Sequence, residues 1–232
     1  MKVLSGSKAF KILPYEQCVE ILARYSIPLA KGKIASSPEE AVKITENIGY
    51  PVALKVISPQ IIHKTNAKVL KLGIRNESEL INAYDEIIKN AKQYNPNAEI
   101  QGVLVQEMIG SGTEVIVGIS RDVQFGPVIL FGLGGIFVEV LKDVSLRVLP
   151  ITRYDAEEMI REIKGYKILE GFRGRPKADI EAIIDILLKV SNLALDLKES
   201  ILEMDLNPII VYEEGKGAYV VDVRMFFQRE PE

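Results

Sequence analysis

The amino-acid sequence predicts an α+β protein that folds as two lobes joined by short connections. Residues 14–103 show helix and strand patterns in the order α-β-α-β-β-α-β, whereas the remainder carries longer strand patterns together with two helices. No internal repeat, low-complexity segment or long linker interrupts the chain. A chain of 232 residues is long enough to bury a sizeable core, as one large domain or as two lobes.

The elements of the first half follow from apolar spacing and from capping residues. The first helix begins at Pro14, and "SIP" ends it before a strand near 29–35. A second helix has Ser37 as its N-cap, Pro38 at its first position and Gly49 as its stop. The other predicted elements are the strands "YPVALKVIS", "KVLKLGI" and "GVLVQEM" and the helix "NESELINAYDEIIKNAKQY", which Asn76 caps.

The second half contains longer strands and two more helices. "TEVIVGISRD" and "GPVILFGL" predict a hairpin around "RDVQF", and "GGIFVEVLKDVSLRVLPI" continues the sheet through a glycine-rich break. "RYDAEEMIREI" and "ADIEAIIDILLKVSNLALDL" predict helices, and "GYKILEGFRGRP" between them predicts a loop that exposes Arg173 and Arg175. Two strands around a Glu-Gly turn close the chain. We expect an N-terminal helical segment at 1–26 that packs on the large lobe, a small lobe at 27–103 and a large lobe at 104–232.

Composition and charge narrow the class of protein. The net charge of −3 gives no sign of a nucleic-acid or membrane partner, and no apolar run reaches the roughly 18 residues that span a bilayer. The start, "MKVLSGSKAF", lacks the apolar core of a signal peptide. The single cysteine, Cys18, excludes an internal disulfide and is expected to serve helix packing. These features predict a protein of a reducing cytoplasm.

Lys55 is the first candidate for chemistry, because it lies inside the otherwise apolar strand "PVALKVI". An ammonium group is expensive to bury without a compensating partner, so this position predicts an anionic ligand. Phosphate is the more specific candidate for this anion, because lysine serves well as a point charge for it. The alternative is a lysine on an edge strand that reaches solvent.

Three oxygen-bearing side chains are predicted to converge near the end of the chain. Asp205 and Asn207 are two residues apart on a strand and therefore share a face. A two-residue turn at Glu214-Gly215 sets a register that places Asn207 opposite Asp222, with Cβ atoms about 5 Å apart. Two carboxylates and an amide oxygen suit Mg²⁺ whose coordination is completed by waters and nucleotide phosphates. The alternative is a set of surface polar residues on a half-exposed hairpin.

The glycine cluster in "FGLGGIFVEV" is a weaker signal. Gly132, Gly134 and Gly135 can take positive φ and turn successive N–H groups toward an anion. The cluster does not match a P-loop and opens no helix, so a tight turn or bulge is the alternative. Glu139 is a further carboxylate in this apolar strand.

The connection between the predicted lobes, in "VLVQEMIGSGTEVIVG", is a third candidate. Such connections often hold a nucleotide's base and ribose. The backbone groups of Gln106, Glu107 and Met108 are candidates to read adenine, and the carboxylate of Glu107 or Glu114 is a candidate to accept from ribose hydroxyls.

His63 is the only histidine in the chain and lies in "SPQIIHKTNAKVLKLGI". Its loop follows the Lys55 strand, which predicts a position on the nucleotide side of the small lobe. Spacing alone favours a structural or surface histidine.

Together these elements resemble an ATP-grasp fold, in which two α+β lobes grip a nucleotide. "IGYPVALKVISPQIIHKT", "TEVIVGISRDVQFGPVILFGLGGIFVEVLKDVSLRVLPIT" and "EMDLNPIIV" look like the β subunits of archaeal ADP-forming acetyl-CoA (acyl-CoA) synthetases, relatives of succinyl-CoA synthetase. The resemblance covers residues 14–226. Many relatives continue "HKT/S" with Asp and a glycine pair, whereas this chain has "NAKV" at 66–69. An anion cradle shaped by that glycine pair would be altered here, and the charge of Lys68 is a candidate replacement.

The resemblance implies a ligase subunit that converts acyl-CoA, ADP and phosphate to acid, CoA and ATP. It implies a partner α subunit that binds CoA and carries a phosphohistidine, in a two-α, two-β assembly. It also implies a role for each candidate residue. His63 relays the phosphoryl group, Lys55 contacts the phosphates, Glu107 and Glu114 hold the nucleoside, Asn207 and Asp222 bind Mg²⁺, and Asp205 lies beside them.

Two other functions remain open from the sequence. One is another ATP-grasp ligase of the carboxylate–amine type, although those usually carry an extra N-terminal substrate domain. The other is a non-catalytic nucleotide-binding subunit. The presence of Lys55, Asn207 and Asp222 argues against it, because a degenerate site has little physical reason to keep charged and polar side chains in apolar strands. The acyl substrate, the preference for adenine or guanine and the role of Arg173 and Arg175 do not follow from the residues.

Overall fold

The computed structural model describes residues 10–61, 64, 66–135, 141–174 and 176–228, and its strands form two antiparallel sheets. The chain divides into two units. One unit is Ala30–Ile109, and the other combines Met1–Leu29 with Gly110–Glu232. The first unit is therefore inserted into the sequence of the second, and we call them the inserted unit and the outer unit.

The inserted unit consists of a four-stranded sheet and two helices with a core of their own. Its strands lie in the order β2-β5-β3-β4. Ser37 accepts from the N–H of Glu40, and Asn76 accepts from the N–H of Glu79, so both helices have the N-caps that the sequence predicts. The elements are β2 (Gly32–Ala35), α2 (Pro38–Ile48), β3 (Val52–Ile57), β4 (Leu70–Ile74), α3 (Glu77–Tyr94) and β5 (Gly102–Glu107).

The outer unit contains the larger sheet, whose described strands lie in the order β1-β11-β9-β6-β7-β8, with β10 also paired to β9. Side chains on one face of β6 and β9, such as Val117 and Leu206, are fully buried, and α6 packs against β7 and β9. The elements are β1 (Phe10–Ile12), α1 (Tyr15–Arg24), β6 (Thr113–Asp122), β7 (Gly126–Leu133), β8 (Val144–Val148), α4 (Arg153–Glu162), α5 (Tyr166–Leu169), α6 (Ile180–Asp196), β9 (Ile201–Val211), β10 (Ala218–Val220) and β11 (Val223–Gln228).

The predicted α+β class is confirmed, and two local expectations are wrong. The stretch predicted as a loop at 165–176 begins with the short helix α5, because the carboxylate of Asp143 accepts from the N–H groups of Lys164 and Gly165 and fixes its start. The closing strand is also interrupted between β10 and β11. Pro208 on the facing strand has no N–H to donate there. Among the described helices, none is both long and apolar enough to cross a membrane.

Candidate functional site

Lys55 is buried in the interior of the inserted unit's sheet. Its side chain is 4% exposed on β3, which lies between β4 and β5. The Nζ atom donates to Oε1 of Gln106 at 2.7 Å, and Nε2 of Gln106 donates to the carbonyl of Ala30 at 3.4 Å. The alternative of an edge-strand lysine that reaches solvent is therefore wrong.

The backbone donors of Glu107 and Met108 are engaged within the inserted unit. Glu107 donates its N–H to the carbonyl of Lys31 at 2.9 Å, and its Oε1 accepts from the N–H of Lys31 at 2.6 Å. Met108 donates its N–H to the carbonyl of Pro51 at 3.3 Å. A base that bound to either N–H would have to replace one of these bonds. The half-buried carboxylate of Glu107 is held at a defined position beside β2.

The glycine cluster lies directly against Glu114 in the outer unit. Gly134 donates its N–H to the carbonyl of Glu114 at 2.7 Å, and a Cβ on Gly134 would lie 2.9 Å from the Cβ of Glu114. A Cβ on Gly135 would lie 3.4 Å from Oε2 of Glu114. The structure therefore brings together the three residues that the sequence assigned to nucleotide binding in this unit.

Only one of the three glycines has the positive φ that the sequence analysis expected of the cluster. Gly135 has φ +61°, whereas Gly132 and Gly134 are outside that region. Gly132 lies inside β7, and a Cβ there would lie 2.8 Å from the carbonyl of Asp143. Close packing is the reason for a glycine at that position.

The predicted register between the last strands is confirmed. Lys216 donates its N–H to the carbonyl of Glu213 at 2.9 Å, which closes the turn. Asn207 donates its N–H to the carbonyl of Asp222 at 3.1 Å, so these two residues are opposite each other. Asp205 lies two residues before Asn207 on the same face of β9. Asn207 is exposed, and both acids are half-buried.

Asp205, Asn207 and Asp222, which we call the oxygen set, differ from a metal site made only of carboxylate, thiolate and imidazole ligands. Within the described residues, no three His, Cys, Asp or Glu side chains are grouped so that they could hold a metal ion. The set around Asn207 has two carboxylates and one amide oxygen. Donors of this kind, all of them oxygen, fit Mg²⁺ and leave room for waters and phosphates.

Sequence reasoning missed Arg224, which is directly opposite Asp205 in the pairing of β9 with β11. Directly opposed residues on antiparallel strands present their side chains on one face, so the guanidinium shares the face of the oxygen set. Glu203 lies on this face too, and burial, with a smaller effect of Asp205, raises the pKa of its carboxyl above the usual value. The signal for Arg224 was available, because the predicted register only had to be extended by two residue pairs.

His63, Glu139 and Arg175 lie outside the described residues. Near His63, Lys64 is half-buried, and Asn66 and Lys68 are exposed. The role of His63 therefore stays a prediction of the sequence and its resemblance.

Comparison with known proteins identifies the family of the chain. Residues 7–227 match the ATP-grasp domain family. The chain is 54% identical over 209 residues to the β subunit of ADP-forming acetate–CoA ligase II of Pyrococcus furiosus, which is 90% of this chain and 89% of that one. It is 52% identical to ADP-forming acetate–CoA ligase I of Archaeoglobus fulgidus, over 90% of this chain but 30% of that protein.

Similar solved structures support the same family assignment. A crystal structure from Pyrococcus horikoshii has a TM-score of 0.89 and 51% identity, and the match covers 94% of this chain and 92% of that one. The dinucleotide-forming acetyl-CoA synthetase 1 of Ca. Korarchaeum cryptofilum, in complex with coenzyme A and Mg-AMPPCP, has a TM-score of 0.80 and 43% identity over 94% of this chain and 93% of that one. The chain therefore belongs to the ATP-grasp domain family and, within it, to the β subunits of ADP-forming acetate–CoA ligases.

Proposed function

We propose that this chain is the nucleotide-binding β subunit of an ADP-forming acyl-CoA ligase, which converts acyl-CoA, ADP and phosphate to acid, CoA and ATP. The observation that carries the proposal is the 54% identity to a β subunit of such a ligase across nine-tenths of both chains. In the proposed complex, an α partner binds CoA and supplies the phosphohistidine. We expect a two-α, two-β assembly in the cytoplasm.

Each candidate residue has a role that its chemistry supports. Lys55 contacts the nucleotide phosphates as a point charge, and Glu107 and Glu114 accept hydrogen bonds from the nucleoside. The N–H of Gly135 is a candidate donor to a phosphate oxygen, whereas the N–H of Gly134 would first have to leave the carbonyl of Glu114.

Asp205, Asn207 and Asp222 would hold Mg²⁺ through their oxygen atoms. When bound, Mg²⁺ would supply neutralisation of the phosphate charge. Phosphoryl transfer needs mainly positioning and charge neutralisation, so no nucleophile beyond a histidine is required of this chain.

His63 is proposed as the phosphoryl carrier. It accepts the group from the phosphohistidine of the α partner, with one N–P bond broken and another formed. Transfer to ADP then breaks the N–P bond of His63 and forms a P–O bond to the terminal oxygen of ADP. A relative from Ca. Korarchaeum cryptofilum has a phosphohistidine segment that points towards the nucleotide-binding site, which supports the exchange of a phosphoryl group between a phosphohistidine and the nucleotide.

The test is the variant His63→Ala, co-expressed with the CoA-binding partner. The wild-type complex should form ATP from acetyl-CoA, ADP and phosphate, and should take up label from γ-labelled ATP on the β chain. The variant should bind ATP normally but form none and carry no label. Full ATP synthesis by His63→Ala would contradict the carrier role.

The same assay separates the two alternatives. ATP hydrolysis that depends on an amine acceptor would favour a carboxylate–amine ligase. Nucleotide binding without turnover, even with the partner present, would favour a non-catalytic subunit.

A further inference from the structure

We propose that Gln106 is a positioning residue for Lys55, which it holds in place without neutralising the ammonium charge. The inference rests on the proposed function, in which Lys55 contacts the nucleotide phosphates. It gives Gln106 a side-chain role, whereas the sequence analysis assigned this residue only a backbone contact to the base.

The pair is set by the register of two neighbouring strands. Lys55 on β3 is opposite Leu104 on β5, and Gln106 is opposite Ala53, so the two side chains are diagonal neighbours on one face. Lys55 is 4% exposed and Gln106 is 1% exposed. The distance of 2.7 Å between Nζ and Oε1 is that of a short hydrogen bond, formed where the side chain of Gln106 is closed to water.

The surroundings of Gln106 demand a carboxamide. On one side the ammonium of Lys55 can only donate, and on the other the carbonyl of Ala30 can only accept. A side chain between them must accept at one end and donate at the other, which an amide does in a single orientation. Ala30 is itself 1% exposed, so the amide is anchored to buried backbone.

A glutamate of the same shape would change the chemistry. Its carboxylate would pair with Lys55 as an ion pair, and the attraction of opposite charges at this distance is strong where water is excluded. Lys55 would then have to exchange a carboxylate for a phosphate on binding nucleotide. The neutral amide orients the ammonium and adds no negative charge beside it.

The experiment measures Mg-ATP binding to the full chain by calorimetry, with thermal unfolding to check that each variant folds. Gln106→Glu should weaken binding by about tenfold or more, which corresponds to about 1.4 kcal/mol. Gln106→Met, which has similar volume but only a weak acceptor and no donor, should weaken it by a smaller factor. In a Lys55→Met background, neither substitution should weaken binding further.

Tyr84→Phe is the matched control, because it removes another buried hydrogen bond of the inserted unit, from the hydroxyl of Tyr84 to the carbonyl of Ala35 at 3.3 Å. It should leave the affinity for Mg-ATP unchanged.

Three results would overturn the inference. The first is a wild-type affinity for Mg-ATP in Gln106→Glu. The second is an equal loss of affinity in the presence and in the absence of Lys55. The third is a loss of affinity in Gln106→Met at least as large as in Gln106→Glu, which would indicate lost packing alone. If Gln106→Glu does not fold, a loss in Gln106→Met that disappears in the Lys55→Met background supports the inference, and a loss that persists there overturns it. Failure of the proposed function is distinguishable, because the wild-type complex would then form no ATP from acetyl-CoA, ADP and phosphate, whereas the inference about Gln106 is decided by the affinity for Mg-ATP.

Discussion

At the residue scale, the candidate site depends on small groups placed where a larger one does not fit. Gly134 and Glu114 are paired across the ends of β7 and β6, and their backbones are joined by a hydrogen bond of 2.7 Å. The freedom of glycine in φ made this cluster a candidate from the sequence, but at Gly134 a glycine is required because a Cβ has no space. Cys18 behaves as the sequence predicts, since it is 1% exposed and burial raises the pKa of its thiol to about 12.

Gly134→Ala should therefore destabilise the outer unit and weaken nucleotide binding. The new Cβ would lie 2.9 Å from the Cβ of Glu114 and 3.2 Å from its carbonyl carbon, and backbone cannot move aside as a flexible side chain can. We expect a loss of about 1–3 kcal/mol in the free energy of unfolding, measured in urea. Calorimetry should show weaker Mg-ATP binding.

Gly215→Ala is the control for that prediction. Gly215 has φ +79°, and, apart from Gly215 itself and its two chain neighbours, no described residue has an atom within 4 Å of the position that a Cβ would take there. Alanine therefore adds backbone strain of about 1–2 kcal/mol without a clash. Its affinity for Mg-ATP should be unchanged. Equal affinities in Gly134→Ala and the wild-type chain would contradict the proposed contact between this loop and the nucleotide.

At the element scale, local signals were sufficient wherever the partner is near in sequence. The turn at Glu214-Gly215 fixes the register of the hairpin, so the pairing of Asn207 with Asp222 follows by counting. Elements that depend on distant partners were missed. The strand β1 pairs with β11 at the other end of the chain, and α5 depends on Asp143, more than twenty residues earlier. Neither partner can be read from the local pattern.

In the connection between β3 and β4, the backbone of Lys68 is strained, and a substitution can relieve this strain. Lys68 is exposed and has φ +52°, in the left-handed region that glycine adopts without cost. Many relatives have a glycine pair in this stretch, as the resemblance indicates. Lys68→Gly should raise the free energy of unfolding by about 0.5–1 kcal/mol, because the left-handed strain exceeds the extra freedom of glycine in the unfolded chain.

Urea unfolding of the full chain measures the effect of Lys68→Gly. Lys92→Gly is the matched control, since Lys92 is an exposed lysine within α3 and its replacement should lower stability by about 1 kcal/mol. A destabilised Lys68→Gly would show that the side chain of Lys68 makes a contact worth more than the strain.

At the scale of the whole molecule, the candidate residues are divided between two units. Lys55, Gln106 and Glu107 belong to the inserted unit, whereas Glu114, the glycines and the oxygen set belong to the outer one. The sequence predicted two lobes from the change in pattern along the chain. It also predicted that the N-terminal helical segment packs on the large lobe. In the structure α1 packs against β11, about 200 residues later in the chain.

The inserted unit should fold as an isolated fragment of residues 30–109. Its two ends already meet, since Lys31 and Glu107 are joined by two hydrogen bonds, and its core is made of its own residues. At roughly 0.05–0.15 kcal/mol per residue, a fragment of this size should have a stability of about 4–12 kcal/mol and unfold cooperatively in urea. A shorter fragment, residues 30–94, is the control, because it lacks β5, which pairs with both β2 and β3. This shorter fragment should be unfolded, since β2 and β3 would lose their common partner. If the longer fragment showed no cooperative transition by circular dichroism, the core of the inserted unit would depend on the rest of the chain.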